Sequence, residues 1–243
     1  VAHLADGKTV TYWLQNAAWI WIPLVAIVTI LAWFCLRSVP VTADFKDQWK
    51  IFGNKHTWFM TLFYYGTFAT FAGLGAQLAL LGNHTFAGIG GAPSAVALAW
   101  LGPVIGALSR VGAGKVSDKI RGGRVTTIMA ICNIIGLLAL WWYKPTSVEG
   151  CWIWLIVMFW IFFWTGVGNA STTEQMAVLF PPLQGGAVVG WTSAIGAYGP
   201  FTIGVLLAEC GAGMMFGVTT VIFIAILLIN LYYYDRKNAP NLC

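Results

Sequence analysis

Charge is what this 243-residue chain has least of: 9% of its residues are Asp, Glu, Lys or Arg, against 59% apolar residues. With a mean hydropathy of +0.77, that scarcity excludes a soluble globular domain, whose surface needs far more charge. Histidine is scarce too. His3, His56 and His84 fall in loops or at the ends of apolar runs, leaving no axial ligand inside a run for a membrane haem. The five cysteines, Cys35, Cys132, Cys151, Cys210 and Cys243, are scattered, with no CxxC pair and no Cys/His cluster. They mark neither a metal site nor a disulfide framework. Nucleophile–base pairs and phosphate-binding glycine loops are also missing, so the chain is expected to be no enzyme and to carry no cofactor. The net charge of +5 forms no continuous basic patch, which excludes nucleic acid as the expected partner.

What the chain has instead is length in apolar runs. Seven are long enough to cross a bilayer of about 30 Å, over 17–36, 57–82, 94–117, 125–143, 151–180, 186–209 and 213–234. The partner solvent is therefore the lipid bilayer, and the fold class expected is an all-α, polytopic membrane protein. Lys and Arg fix the orientation. If residues 1–16 lie outside, the inner segments hold Arg37, Lys46, Lys50, Lys55, Lys115, Lys119, Arg121, Arg124, Arg236 and Lys237, and the outer ones only Lys8 and Lys144. The C-terminal residues 235–243 are then cytoplasmic, at the inner membrane of a cell. Residues 37–56 read as a cytoplasmic linker, either a short amphipathic helix or a solvated segment. The start at Val1, without Met or a signal peptide, reads as part of something longer.

The segment from Trp100 to Thr126 carries the strongest functional signal. Gly102, Gly106, Arg110 and Gly114 recur every four residues, which is expected to set a guanidinium on a helix face crowded by small residues. An ionisable group inside a span costs roughly 2.5–3.5 kcal/mol on insertion scales, so it lines a substrate path, pairs, or snorkels to the interface. Arg110 is expected to bind an anion, with snorkelling as the alternative. In the second span Tyr64, Phe68, Phe71 and Gly75 form a stripe at helical spacing. Such stripes serve packing more often than ligands, yet a phenol within a span wants a hydrogen-bond partner. Glu174, about 9 Å from the inner end of its span, is weighed as a proton carrier against pairing with a cytoplasmic Lys or Arg. The sixth span opens with glycines, among them Gly185, Gly186, Gly190, Gly196 and Gly199, and contains Pro200. Those glycines call for close helix contact or a ligand at the backbone, and Pro200 for a kink.

Together, one guanidinium, a tyrosine hydroxyl, aromatic faces and a glycine-lined helix suit a flat, weakly hydrated oxyanion. The planar fork of arginine matches two coplanar oxygens better than a lysine point charge does.

The turn Gly114-Lys-Val-Ser-Asp118-Lys119-Ile-Arg121-Gly-Gly-Arg124 resembles the Gly-x-x-x-Asp-Arg/Lys-x-Gly-x-Arg/Lys loop of the major facilitator superfamily, with Arg121 where that motif has glycine. The stretches from Gly102 to Arg110 and from Gly190 to Gly199, and the opening Leu14-Gln-Asn-Ala-Ala-Trp-Ile-Trp-Ile-Pro23, resemble the eighth, eleventh and sixth helices of nitrate/nitrite porters of the NarK type. The resemblance implies helices six to twelve of a twelve-helix transporter: residues 17–36 complete a missing N-terminal bundle and 57–234 form the C-terminal six-helix bundle. It implies nitrate and nitrite as cargo, Arg110 as substrate arginine, Tyr64 and Phe68 as aromatic contacts, and Gly190 and Ser193 as signature positions. Gly114, Asp118, Lys119 and Arg124 become the conformational motif. Alternating access with nitrate/nitrite exchange is the expected mode. Proton-coupled symport or another small anion is the alternative, and a non-transporting scaffold or sensor the alternative of another class.

Overall fold

The computed structural model describes residues 2–3, 9–10, 15–37, 44–237, 239, 241 and 243. It forms two units, 1–42 and 43–243. In the first unit two short strands, β1 (Ala2–His3) and β2 (Thr9–Val10), pair antiparallel, Ala2 with Val10 and His3 with Thr9. The rest of residues 1–16, expected outside, lies mostly outside the described residues. Helix α1 (Gln15–Cys35) follows, apolar on every side and containing Pro23.

The described elements of the second unit are all helical. A short helix α2 (Phe45–Trp49) and a 3₁₀ turn (Lys50–Gly53) occupy part of the linker expected over 37–56. Then come α3 (Lys55–Thr85), α4 (Ala95–Leu98), α5 (Leu101–Ile120), α6 (Gly122–Trp142), α7 (Val148–Leu179), α8 (Pro182–Gly196), α9 (Gly199–Val205) and α10 (Gly211–Asn230). Side chains start them. Asn54 accepts from the His56 N–H at 3.0 Å to open α3, and Ser147 accepts from the Gly150 N–H at 3.1 Å to open α7, with Glu149 in its first turn. Both satisfy donors that a helix start leaves free.

Apart from the linker helix α2, each helix or helix pair begins and ends within four residues of an expected span. Where the structure differs is in the breaks. The third expected span is divided at Ala99–Trp100, and the sixth at Ala197–Tyr198, just before Pro200, beyond which one π-helical turn covers Leu206–Cys210. Among the described residues five helical stretches are long and apolar enough to cross a membrane. The last of them, Pro182–Asp235, is 54 residues long and is interrupted at Gly211, whose φ of 78° suits only glycine well. At about 1.5 Å per residue it is long enough for two crossings. α3 is long enough too, but its threonines, tyrosines and glycines dilute its hydropathy.

α7 is the centre of the second unit, flanked by α5, α6 and α3; α3 in turn carries α8, α9 and α10. Small residues set these distances. A Cβ on Gly166 of α7 would run into the Gly106 carbonyl of α5, and one on Gly168 would lie 2.6 Å from Thr67 of α3. Backbones this close let hydroxyls bond across helices, Ser109 to the Phe163 carbonyl at 2.8 Å and Thr67 to Asn169 Oδ1 at 3.0 Å. In an apolar solvent such packing and polar contacts hold helices together in place of the hydrophobic effect.

Candidate functional site

The expected stripe on α3 is a continuous column of rings. Tyr64 stacks on Phe68 with centroids 5.6 Å apart and planes 10° from parallel. Phe68 meets Phe71 at 6.4 Å, and Phe71 meets Phe162 of α7 edge-on at 6.1 Å. Glycines on neighbouring helices make room. A Cβ on Gly196 of α8 would lie 2.9 Å from the Tyr64 ring, and one on Gly106 of α5 would lie 2.5 Å from the Phe71 ring. The column is thus gripped by α8 at one end and by α5 at the other. Tyr64 is buried, Phe68 is half-buried, and the Tyr64 hydroxyl makes no hydrogen bond among the described residues.

Arg110 does not sit on the crowded face expected for it. Gly102 and Gly106 are buried with Ser109, Ala113 and Ser117, whereas Arg110 is exposed and Gly114 half-buried. The reason is the helix period: four residues overshoot one turn of 3.6, so each step rotates by about 40° and the row leaves the contact after two steps. Its depth, however, follows from register. Pro103 of α5 faces Gly75 of α3, 3.3 Å from where a Cβ would be, and one turn on Gly106 faces Phe71. Numbers rise on α5 as they fall on α3, so the helices are antiparallel there. Arg110, seven residues beyond Pro103, is level with Phe68, seven before Gly75. No hydrogen bond or ion pair holds the guanidinium among the described residues.

On α8 the two signature positions separate. Ser193 is half-buried, one turn before Gly196, the residue against Tyr64. Gly190 is exposed, with open space where a Cβ would be, as there is at Gly185 and Gly186, and it lines a cleft with Phe52 and Trp191. The α8–α9 glycines therefore divide into two groups. Gly196 and Gly199 admit α3, and the earlier three have open space where a side chain would be.

The turn after α5 brings Gly114, Asp118, Lys119 and Arg124 to one end of the unit. Asp118, Lys119 and Arg124 are exposed, and Gly114 has open space around it. Arg121, the departure from the motif, is the non-glycine residue with positive φ among the described residues, at 76°. An arginine thus adopts the backbone for which the motif uses glycine. Directly after it, Gly122 opens α6 against the carboxylate of Glu174. No Lys or Arg pairs with Glu174 among the described residues, and one of its oxygens is buried without a hydrogen-bond partner. The pairing with a cytoplasmic Lys or Arg weighed for Glu174 is not formed among the described residues; the carboxylate lies at the start of α6 instead, where the positive end of the helix dipole favours negative charge. Below it Thr126 bonds Ser171 at 2.8 Å and accepts from Gln175 at 2.6 Å.

Two contributors escaped the sequence reading. Phe162 lies in a uniformly apolar run with nothing to single it out, and Gly122 is one of a Gly-Gly pair whose only signal was the irregular motif before it. Among the described residues no group of His, Cys, Asp and Glu is placed to hold a metal ion.

The profile of the family described as Major Facilitator Superfamily matches residues 7–204. A Thermus thermophilus protein named "Probable nitrate/nitrite antiporter NarK2" is 42% identical over 243 residues, covering 98% of this chain and 55% of that protein. Proteins named nitrate/nitrite transporter NarU from Salmonella typhimurium and Escherichia coli are each 33% identical, over 96% of this chain and 55% of their own length. The chain thus spans about half the length of the curated relatives it matches.

Proposed function

The chain belongs to the major facilitator superfamily, a family of transporters rather than enzymes, and on that premise we propose that it forms the C-terminal half of a carrier exchanging nitrate for nitrite. The observation that carries the reading is the register that makes Arg110 level with the stacked Tyr64–Phe68 pair. The relatives named as nitrate/nitrite transporters support the same cargo. Arg110 offers a planar fork to two oxygens of a planar monoanion. Tyr64, with a hydroxyl free among the described residues, donates to a third acceptor position, and Phe68 offers a ring face that a tetrahedral anion fits poorly. The N-terminal half of the same transporter is the partner that completes the opposite wall, with the ion near the midplane between two rocking bundles.

The energetics favour exchange. An unfilled site holds uncompensated positive charge, so rocking is disfavoured until nitrate or nitrite neutralises it. Gly114, Asp118, Lys119 and Arg124 serve as the conformational motif at the cytoplasmic end, with the C-terminus on that side of the inner membrane. Gly190, exposed and with nothing within 4 Å of where a Cβ would be, is available to the ion or the other half. Glu174 favours a second reading, proton-coupled uptake, because one of its oxygens is buried and unpaired.

The test is nitrate uptake into nitrite-loaded proteoliposomes carrying the full transporter, without a pH gradient, for the native protein and Arg110→Lys. Exchange that falls by about 100-fold or more in the variant supports Arg110 as a shape-reading ligand, the loss of one charge-assisted bidentate contact being about 3 kcal/mol. Unchanged exchange makes Arg110 a snorkelling residue. Uptake by the native protein only under an imposed proton gradient, abolished in Glu174→Gln, replaces exchange with symport.

A further inference from the structure

At the end of the bundle opposite the basic turn, where α3 and α6 finish and α10 begins, lies a cavity of about 1080 Å³. Its floor is apolar and deep: Leu81, Leu140, Trp154 and Phe216 line it and are 2–4% exposed. Its rim is different in kind. His84 and Lys144 line it and are exposed, without an ion pair or hydrogen bond among the described residues. Lys144 is one of only two Lys or Arg residues in the segments expected outside, so its place on this rim is not one of many.

The walls are held by close contacts between helices. Trp141 lies over α10 where Gly213 and Gly217 lack side chains, 3.7 Å and 3.4 Å from the positions their Cβ atoms would take. On the other side the Gln77 amide approaches Gly204 to 3.3 Å of such a position. The α6–α7 link that carries Lys144 is short and fixed: the Tyr143 hydroxyl and Pro145 pack on Gly150, and Ser147 caps α7. The indole and the phenol sit at a helix end, where aromatic residues settle at a membrane–water interface.

A wholly apolar occupant would leave the Lys144 ammonium and the His84 imidazole unused, and a small soluble anion would leave the apolar floor facing water. An anionic amphiphile satisfies both surfaces, its charge on the rim and its chain on the floor. We propose that this cavity binds an anionic phospholipid, its headgroup phosphate on Lys144 and His84 and one acyl chain along Leu140, Leu81 and Phe216. The site is separate from the aromatic column, and it holds whichever way the bundle is oriented and whatever ion is carried.

The test is native mass spectrometry of the full transporter, delipidated in detergent and titrated with phosphatidylglycerol or phosphatidylcholine of equal chain length. The native protein is expected to retain one phosphatidylglycerol about 10-fold more tightly than phosphatidylcholine, and the pair Lys144→Gln with His84→Gln to lose that preference. Thermal unfolding of the variant, unchanged, separates lost binding from lost folding. As a second readout, brominated phosphatidylglycerol should quench the native protein more than Trp141→Phe. Equal retention of the two lipids by the native protein overturns the proposal, as does an undiminished preference in the double variant. Displacement of the lipid by millimolar glycerol phosphate overturns it in favour of a free phosphate site.

Discussion

The carboxylate of Glu174 lies where a Cβ on Gly122 would be. The space is closed from two further directions, with the Ser171 carbonyl 2.8 Å and Gln175 Cγ 2.9 Å from the same position. A methyl group here cannot be absorbed by one flexible side chain. Gly122→Ala is expected to lower stability by about 1–3 kcal/mol, the usual range for overpacking, read as thermal unfolding in detergent. Adding Glu174→Ala should restore part of that loss, because the two residues compete for one volume. Additive losses would mean that the Ser171 carbonyl, and not the carboxylate, is the obstacle.

Arg121 holds φ at 76° and ψ at 135°, a conformation that costs an L-residue of order 1–3 kcal/mol and costs glycine little. Arg121→Gly is therefore expected to raise stability by about 1 kcal/mol, after allowing for the greater freedom glycine gains in the unfolded chain. A thermal melt of the two proteins checks it. A lower melting temperature in the variant would show that contacts of the arginine side chain outweigh the backbone cost.

Two glycines on α8 make opposite predictions from the same substitution. Gly196→Ala pushes against the Tyr64 ring, 2.9 Å away, and is expected to weaken nitrate binding about 10-fold by tilting that ring off Phe68, a cost near 1.4 kcal/mol. Gly190→Ala meets nothing within 4 Å and should leave this half as stable or slightly more so, alanine being the better helix former by about 1 kcal/mol. Transport lost in a stable Gly190→Ala protein would locate a contact outside this half, in the ion or the other bundle. Transport retained would remove Gly190 from the site.

Periodicity made the helices legible, because a bilayer-length apolar run has few other ways to fold and short loops leave little choice of neighbours. The break before Pro200 was legible for the same local reason. The break at Trp100 was not, since it precedes Pro103 by three residues and no turn residue stands at Ala99–Trp100. Tyr64 and Phe68 were legible as a pair because i and i+4 share a face. Arg110 was misplaced because a four-residue repeat matches a helix only over one or two turns. The end of Glu174's reach was hidden altogether, being set by which helix starts beside it and not by anything within four residues of it.

His56, just before the span expected over 57–82, joins three segments. With the Asn241 amide donating to Nε2 at 3.2 Å, the ring proton stays on Nδ1 and is given to the Tyr234 hydroxyl at 2.6 Å. Burial lowers the pKa of His56 from its usual value, and the neighbouring Lys55 ammonium lowers it further. A second ring proton would also point at the Asn241 donor. The folded protein therefore binds this proton less readily than the unfolded chain does. Stability should stay level from pH 8 down to the unfolded value near 6.5, then decline as the pH falls from there to the lowered folded value, and change no further from this group below it. The measurement is the melting temperature between pH 8 and 5 for the native protein and His56→Gln. The difference between the two, which cancels the carboxylates titrating in both, should shrink as the solution becomes more acidic. A constant difference across that range would mean that His56 titrates alike in the folded and unfolded states.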